Sequence, residues 1–175
     1  MSNFLLEIGT EELPADFARL VTSQLEQLVR NDLKEYRIGF EDVFCSSTPR
    51  RIFVIINSLA DSSEDLIEER KGPPALKAFE NGKPTQTANG FAKRYGLSVD
   101  ALEVRNTPKG EFVFGRIFIK GESSENLIVG LIPKWINNIQ GRRFMRWGEG
   151  DLRFSRPIRW ILALLDDKDL TLELS

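Results

Sequence analysis

The sequence predicts an α+β fold: a mixed or antiparallel sheet with two long amphipathic helices and a small helical insert. Three observations carry that reading. Apolar residues recur at spacings of three and four in two windows, 14–37 and 124–139. Several short runs rich in β-branched and aromatic residues are separated by Pro, Gly and Asn turns. Between them lies a stretch, 71–96, of short helical pieces bounded by prolines and glycines.

In chain order, Asn3 to Gly9 is an apolar run closed by Gly9 and reads as a buried strand. Thr10 to Pro14 turns into a helix, with Pro14 suited to the first helical position because no amide donor is needed there. Phe17, Leu20, Val21, Leu25, Leu28, Val29, Leu33 and Tyr36 make its apolar stripe, and Gly39 is expected to end it. Phe40–Ser47 and Arg51–Leu59 read as strands around a Thr48-Pro49-Arg50 turn. The consecutive Val54, Ile55 and Ile56 suit a strand covered on both faces. Asp61–Lys71 is either an edge strand or a loop, and Lys71-Gly72-Pro73-Pro74 is punctuation that bars helix and ladder alike.

The insert holds one helical turn over Ala75–Phe79, a turn at Asn81-Gly82-Lys83-Pro84, and a helix over Thr85–Tyr95 closed by Gly96. Ser98 is a cap for a further turn. Leu102–Arg105 and Glu111–Lys120 form a hairpin around Pro108-Lys109-Gly110. Ser124–Ile139 is the second amphipathic helix, and Pro133 within it predicts a kink or break near Ile132. Ile158–Leu165 and Leu170–Leu174 close as an apolar hairpin around Asp166–Asp169. The chain reads as one region, 1–175, with sub-lobes 1–70 and 97–175 around the helical insert 71–96. Because it stops in strand-like sequence, it is expected to belong to a longer protein.

Bulk composition narrows the function. Hydrophobic residues make up 41% and charged residues 29%, a globular and not a disordered balance. Net charge is −2, so affinity for a polyanion has to come from local clustering. The chain contains no histidine, which removes histidine bases, histidine metal sites and the Ser-His and Cys-His designs. The single cysteine, Cys45, excludes an internal disulfide and reads as an inert buried thiol. With neither a signal peptide nor a membrane-length apolar run, a cytoplasmic location is expected.

The clustering is found between Gly141 and Trp160, GRRFMRWGEGDLRFSRPIRW. Arg142, Arg143, Arg146, Arg153, Arg156 and Arg159 stand among Phe144, Trp147, Phe154 and Trp160, with only Glu149 and Asp151 as acids. Guanidinium forks pair with phosphates, and planar groups stack on bases, so this is the composition of an RNA-facing surface. The competing reading makes the four aromatics core and the arginines its wet rim. Thr48-Pro49-Arg50-Arg51 adds two basic candidates, Arg50 and Arg51, against the reading of a solvated turn. Glu7, Glu11 and Glu12 are candidates for a divalent ion or an acid/base pair, though surface charge at a helix N-terminus explains them better. Lys93 and Arg94 read as a solvated face, and Lys71-Gly72 lacks the pattern of a phosphate loop. No catalytic residue and no metal site is expected.

Leu5-Leu6-Glu7-Ile8-Gly9-Thr10-Glu11-Glu12-Leu13-Pro14, Thr48-Pro49-Arg50-Arg51, Lys71-Gly72-Pro73-Pro74, Gly90-Phe91-Ala92, Met145-Arg146-Trp147-Gly148 and Arg153-Phe154-Ser155-Arg156-Pro157-Ile158-Arg159-Trp160 resemble, in this order, the start of the beta subunit of the bacterial two-subunit glycyl-tRNA synthetase. The resemblance implies an aminoacyl-tRNA synthetase that uses ATP to join glycine to tRNA(Gly). It also implies an α2β2 heterotetramer in which the alpha subunit holds the ATP, Mg2+ and glycine sites. This chain would then carry no cofactor and no autonomous active site. Its partners would be the alpha subunit and tRNA(Gly), with no membrane and no DNA, and anticodon recognition would lie in a later part of the beta subunit. A pure docking module without RNA contact is the alternative.

Overall fold

The computed structural model describes residues 1–148 and 151–172. In chain order its elements are β1 (Ser2–Thr10), α1 (Ala15–Glu35), β2 (Asp42–Thr48), β3 (Arg51–Leu59), β4 (Leu66–Pro74), α2 (Ala75–Ala78), β5 (Phe79–Glu80) and β6 (Lys83–Pro84). They continue with α3 (Gln86–Arg94), a 3-10 turn at Val99–Ala101, β7 (Glu103–Thr107), β8 (Gly110–Ile119) and α4 (Ser124–Asn138). β9 (Met145–Arg146), β10 (Arg153–Phe154), β11 (Ile158–Leu165) and β12 (Lys168–Asp169) close the chain. Every strand pairing is antiparallel, and the α+β expectation holds.

Two compact units result: Met1–Glu64 with Glu122–Ser175, and Asp65–Gly121. The divisions fall at 64/65 and 121/122 instead of 70/71 and 96/97, because β4 pairs along its length with β8 and draws the whole 97–121 hairpin into the second unit.

In the first unit the sheet order is β12-β11-β1-β3-β2, with β1 at the centre. Alternation decides which side chains meet the helices. Phe4, Leu6 and Ile8 of β1 are buried with Ile52, Val54 and Ile56 of β3, whereas Leu5, Glu7, Phe53 and Ile55 point the other way and are only half-buried. β3 is therefore covered on one face, not two as its run of β-branched residues suggested. Helix α1 buries Phe17, Val21, Leu25, Val29 and Leu33 at steps of four, and Leu20, expected in that stripe, is 45% exposed. α4 joins it with Ile128, Leu131, Ile132, Trp135 and Ile136. The Trp135 indole donates to Asp32 Oδ2 at 2.8 Å, satisfying its one polar atom inside the core.

Helix boundaries differ from the sequence reading in ways local chemistry explains. Pro14 is the residue before the helix, not its first member, and its carbonyl accepts from Ala18. α1 ends at Glu35 with Tyr36 as its C-cap, and the residue that closes it is Arg37, not Gly39. Arg37 takes a left-handed backbone (φ 58), its amide donates to Lys34, and the Ile38 amide donates to Leu33. That is a Schellman closure with a buried Ile38–Leu33 contact at its base, and burial of Ile38 compensates the cost of a non-glycine there. Pro133 neither breaks nor ends α4, which runs unbroken from Ser124 to Asn138. At the C-terminal hairpin, Lys168 and Asp169 pair with β11 and do not belong to the turn. Of the expected strand Leu170–Leu174, residues 170–172 are not strand, and the remainder lies outside the described residues.

The second unit is a three-stranded sheet, β4-β8-β7, with α2 and α3 on one face. Ala78, Ala88 and Val113 are fully buried there, with Phe91 and Leu102 packed around them. The Lys71–Pro74 segment, expected to bar a strand, lies within β4. An edge strand tolerates prolines that donate no ladder bond, and the register shifts between Lys71 and Pro74. Gly96 ends α3 and the Ser98 hydroxyl caps the following turn, both as expected.

The packing separates two leucines that sequence periodicity treats alike. Leu25→Ala opens a cavity under the sheet and is expected to lower the unfolding free energy by about 2–5 kcal/mol. Leu20→Ala, half in water, is expected to cost under about 1 kcal/mol, and urea denaturation compares the two.

Candidate functional site

Three segments that lie far apart in sequence meet where β1 passes into α1. The Thr10 amide donates to Arg50 O (3.0 Å), Glu11 to Pro157 O (3.2 Å) and Leu13 to Pro49 O (2.6 Å). The Thr10–Pro14 turn is thereby held between the Thr48–Arg51 turn and the Ser155–Pro157 segment. Beside it opens a cleft of about 880 Å³ whose walls include Glu12, Pro14, Arg19, Thr48 and Arg156. A neighbouring cleft of about 480 Å³ is lined by Asp16, Leu20, Arg142, Arg143 and Arg156. Arg156 borders both, and both open at the N-terminal end of a 21-residue helix, an end that favours anions although its Phe17 amide already donates to Asp16 Oδ1 at 2.9 Å.

Aromatic packing fixes the arginine stretch to the helix. Phe17 of α1 meets Phe144 and Phe154 edge-on, each with ring centroids 5.5 Å apart, and Phe144 and Phe154 lie 5.6 Å from one another. The Trp147 indole donates to Phe154 O at 3.0 Å, tying β9 to β10. Gly141 is required by this trio, since a Cβ there would run into the Phe144 and Phe17 rings. Phe144, Trp147 and Phe154 are thus anchors of the core, as one of the two sequence readings held.

Trp160 is not. It pairs with Gly9 on the uncovered face of the sheet, 43% exposed, and lies flat over that glycine. The Arg51 guanidinium stands 5.5 Å from its ring centroid. An aromatic at the end of an apolar run reads as core, but strand alternation turns this one outward.

The eight candidate arginines fall into two groups. Arg51 pairs with Glu7 (3.2 Å), Arg146 with Asp151 (3.4 Å), Arg159 with Glu11 (3.8 Å) and Arg50 with Glu12 (3.9 Å). The Arg50, Arg146 and Arg159 pairs are exposed on both sides and readily exchanged with water or a ligand. Arg142, Arg143, Arg153 and Arg156 have no carboxylate within 4.0 Å among the described residues; Glu149 lies outside them. Arg142, Arg143 and Arg153 are exposed, whereas Arg156 is half-buried and donates to Ser155 O at 2.9 Å. The structure brings Arg142, Arg143 and Arg156 to one cleft.

Glu7, Glu11 and Glu12 each face an arginine and do not converge. Among the described residues no three acidic or thiol side chains gather in metal-binding geometry. Cys45 is buried in the core on the helix-covered face of the sheet, and burial pushes its thiol up to about 12, which keeps it protonated and unreactive at neutral pH. Among the described residues no helix is long and apolar enough to cross a membrane.

The arginine-edged clefts thus lie at the N-terminal end of α1. A family profile described as "Glycyl-tRNA synthetase beta subunit" matches residues 4–175. A glycine–tRNA ligase beta subunit of Gloeothece citriformis is 47% identical over 174 residues, 99% of this chain and 24% of that protein. One from Trichodesmium erythraeum is 47% identical over 98% of this chain and 24% of its own length. One from Dictyoglomus turgidum is 37% identical over 99% and 25%. The chain belongs to the glycyl-tRNA synthetase beta subunit family, and it spans about a quarter of the length of these relatives.

The contact between Gly9 and Trp160 is testable by a double-mutant cycle. Gly9→Ala drives its methyl into the Trp160 indole and is expected to destabilise by about 1–3 kcal/mol. In a Trp160→Ala background the same change is expected to cost under about 0.5 kcal/mol, measured by urea denaturation.

Proposed function

We propose that this chain serves the ATP-dependent attachment of glycine to tRNA(Gly) as the RNA-contacting part of a beta subunit. Arg142, Arg143 and Arg156 would hold backbone phosphate. The observation that carries this reading is the convergence of these three guanidiniums on one cleft at the start of α1, with no carboxylate within 4.0 Å among the described residues. A phosphate seated there meets guanidinium forks and helix amides at once. The reaction itself is assigned to the partner alpha subunit, which would supply the ATP and Mg2+ sites. Arg50, Arg51, Arg146 and Arg159, already engaged with carboxylates, serve this site less directly.

A second reading is favoured by the uncovered face of the first unit's sheet. Phe44, Ile55, Leu5 and Leu164 stand side by side across four strands, Phe53 and Leu162 lie in the next row, and Phe44 is 51% exposed. Such a face suits docking by the partner subunit or by further parts of a beta subunit.

In an enzyme assembled from full-length subunits, Arg142→Ala with Arg156→Ala is expected to weaken tRNA affinity about tenfold or more. The slope of log affinity against log salt should become shallower by roughly 0.9 per lost phosphate contact. Glycyl-adenylate formation should be unchanged. Equal loss of both partial reactions, with loss of subunit co-purification, would assign this surface to docking instead.

A further inference from the structure

The second unit has a charge balance unlike the rest of the chain. Residues Asp65–Gly121 carry ten Lys and Arg against seven Asp and Glu, a net +3 inside a chain of net −2. Its sheet has one covered and one open face. Val113 of the central strand β8 is fully buried with Ala78 of α2 and Ala88 of α3. Alternate residues therefore face outward, and these are Phe112, Phe114, Arg116 and Phe118. The register sets Lys71, Glu69 and Ile67 beside them on β4, and Arg105 and Glu103 beside them on β7.

The result is four planar groups in single file along the middle strand, about 6.8 Å apart, with cations on both flanks. Lys71 Nζ caps the Phe112 ring at 3.5 Å from its centroid, and the Arg105 guanidinium stands 5.4 Å from that of Phe114. Glu69 holds Arg105 at 2.7 Å, Glu103 also pairs with it, and Arg116 pairs with Glu103 at 3.6 Å. Phe118 has no capping cation among the described residues and is 62% exposed. Nothing about stabilising this small sheet calls for a phenylalanine at that solvent-facing position.

We propose that this face binds an unpaired stretch of RNA, with bases stacked on Phe118 and Arg116 and, further along β8, on Phe112 and Phe114. Every base offers a π-face, and a row of planar side chains on the central strand of an open sheet is a geometry that single-stranded RNA binders use. On binding, Lys71 exchanges its ring contact for phosphate, while Arg105 stays with Glu69 and Glu103 and keeps its guanidinium plane beside Phe114. Alternation of aromatics with cations, and the net positive charge of the unit, favour RNA over a protein partner, whose docking face would be apolar at its centre with a polar rim. The proposal rests on the family's RNA substrate but not on the arginine cleft of the first unit, which is a separate surface.

The test uses full-length beta subunit assembled with its alpha subunit and a fluorescein-labelled, unstructured oligoribonucleotide of about ten nucleotides, followed by anisotropy. Saturable binding by the wild type is expected. Phe118→Ala is expected to weaken it about fivefold or more, and Phe118→Trp to retain or tighten it, because a larger ring stacks better. Measured again in the Arg142→Ala, Arg156→Ala background, where the arginine cleft is disabled, Phe118→Ala is expected to weaken binding by the same factor. Loss of the Phe118→Ala effect in that background would place the oligonucleotide on the arginine cleft and overturn the proposal, whereas failure of the arginine-cleft reading leaves this result unchanged. Absence of wild-type binding, a Phe118→Ala effect under about twofold, or Phe118→Trp behaving like Phe118→Ala would overturn the proposal. So would loss of subunit co-elution by Phe118→Ala with oligonucleotide affinity intact, which would make the face a protein contact.

Discussion

The three backbone hydrogen bonds at the end of β1 are the constraint on which the candidate site depends. Amides of Thr10, Glu11 and Leu13 lie between the end of a strand and the start of a helix, where neither ladder nor helix accepts from them. They find Arg50, Pro157 and Pro49 carbonyls instead, and in doing so they fix the Thr48–Arg51 turn and the Ser155–Pro157 segment against the helix N-terminus. Two of the three acceptors belong to prolines, residues that offer a carbonyl without competing as donors. The clefts beside α1 follow from this lacing, and so does the position of Arg156 on the border of both.

The same geometry separates what the sequence could reveal from what it could not. The α1 stripe was legible because a period near 3.6 is local, and five of its residues are indeed fully buried or nearly so. Where α1 ends was not, because Arg37 adopts a left-handed backbone that only the burial of Ile38 justifies. The strands were legible as elements, and β1, β3 and the β7–β8 hairpin lie close to their expected bounds. Which face of each was covered depends on where the helices pack, a fact of topology. That is why Trp160 and Ile55 read as core and stand half in water.

For the site, composition located the arginines but gave no account of their partners. The carboxylates that engage Arg50, Arg51 and Arg159 come from Glu12, Glu7 and Glu11, all from the first strand and the turn after it. Within the cluster of six arginines in twenty residues, Arg159 and, through Asp151, Arg146 are paired, so it presents fewer free guanidiniums than its composition advertises. The row of Phe112, Phe114, Arg116 and Phe118 shows the opposite effect. Its aromatics passed as ordinary strand formers, because a strand's two faces are indistinguishable until the pairing fixes which one the helices cover.

Charge then orders the two units. The first contains fourteen basic and nineteen acidic residues, so its arginines work within a negative surround and bind a polyanion only where geometry keeps them clear of carboxylates. The second carries a net positive charge, with Lys71 and the carboxylate-paired Arg105 and Arg116 on one sheet face beside the half-buried Phe112 and Phe114 and the exposed Phe118. The first arrangement suits a phosphate held at a defined point, since helix amides and guanidinium forks there converge on a single cleft. The second suits a flexible strand read by its base faces, since stacking tolerates sequence and slides along a row. Folded RNA offers both features, a charged backbone at fixed geometry and unpaired segments.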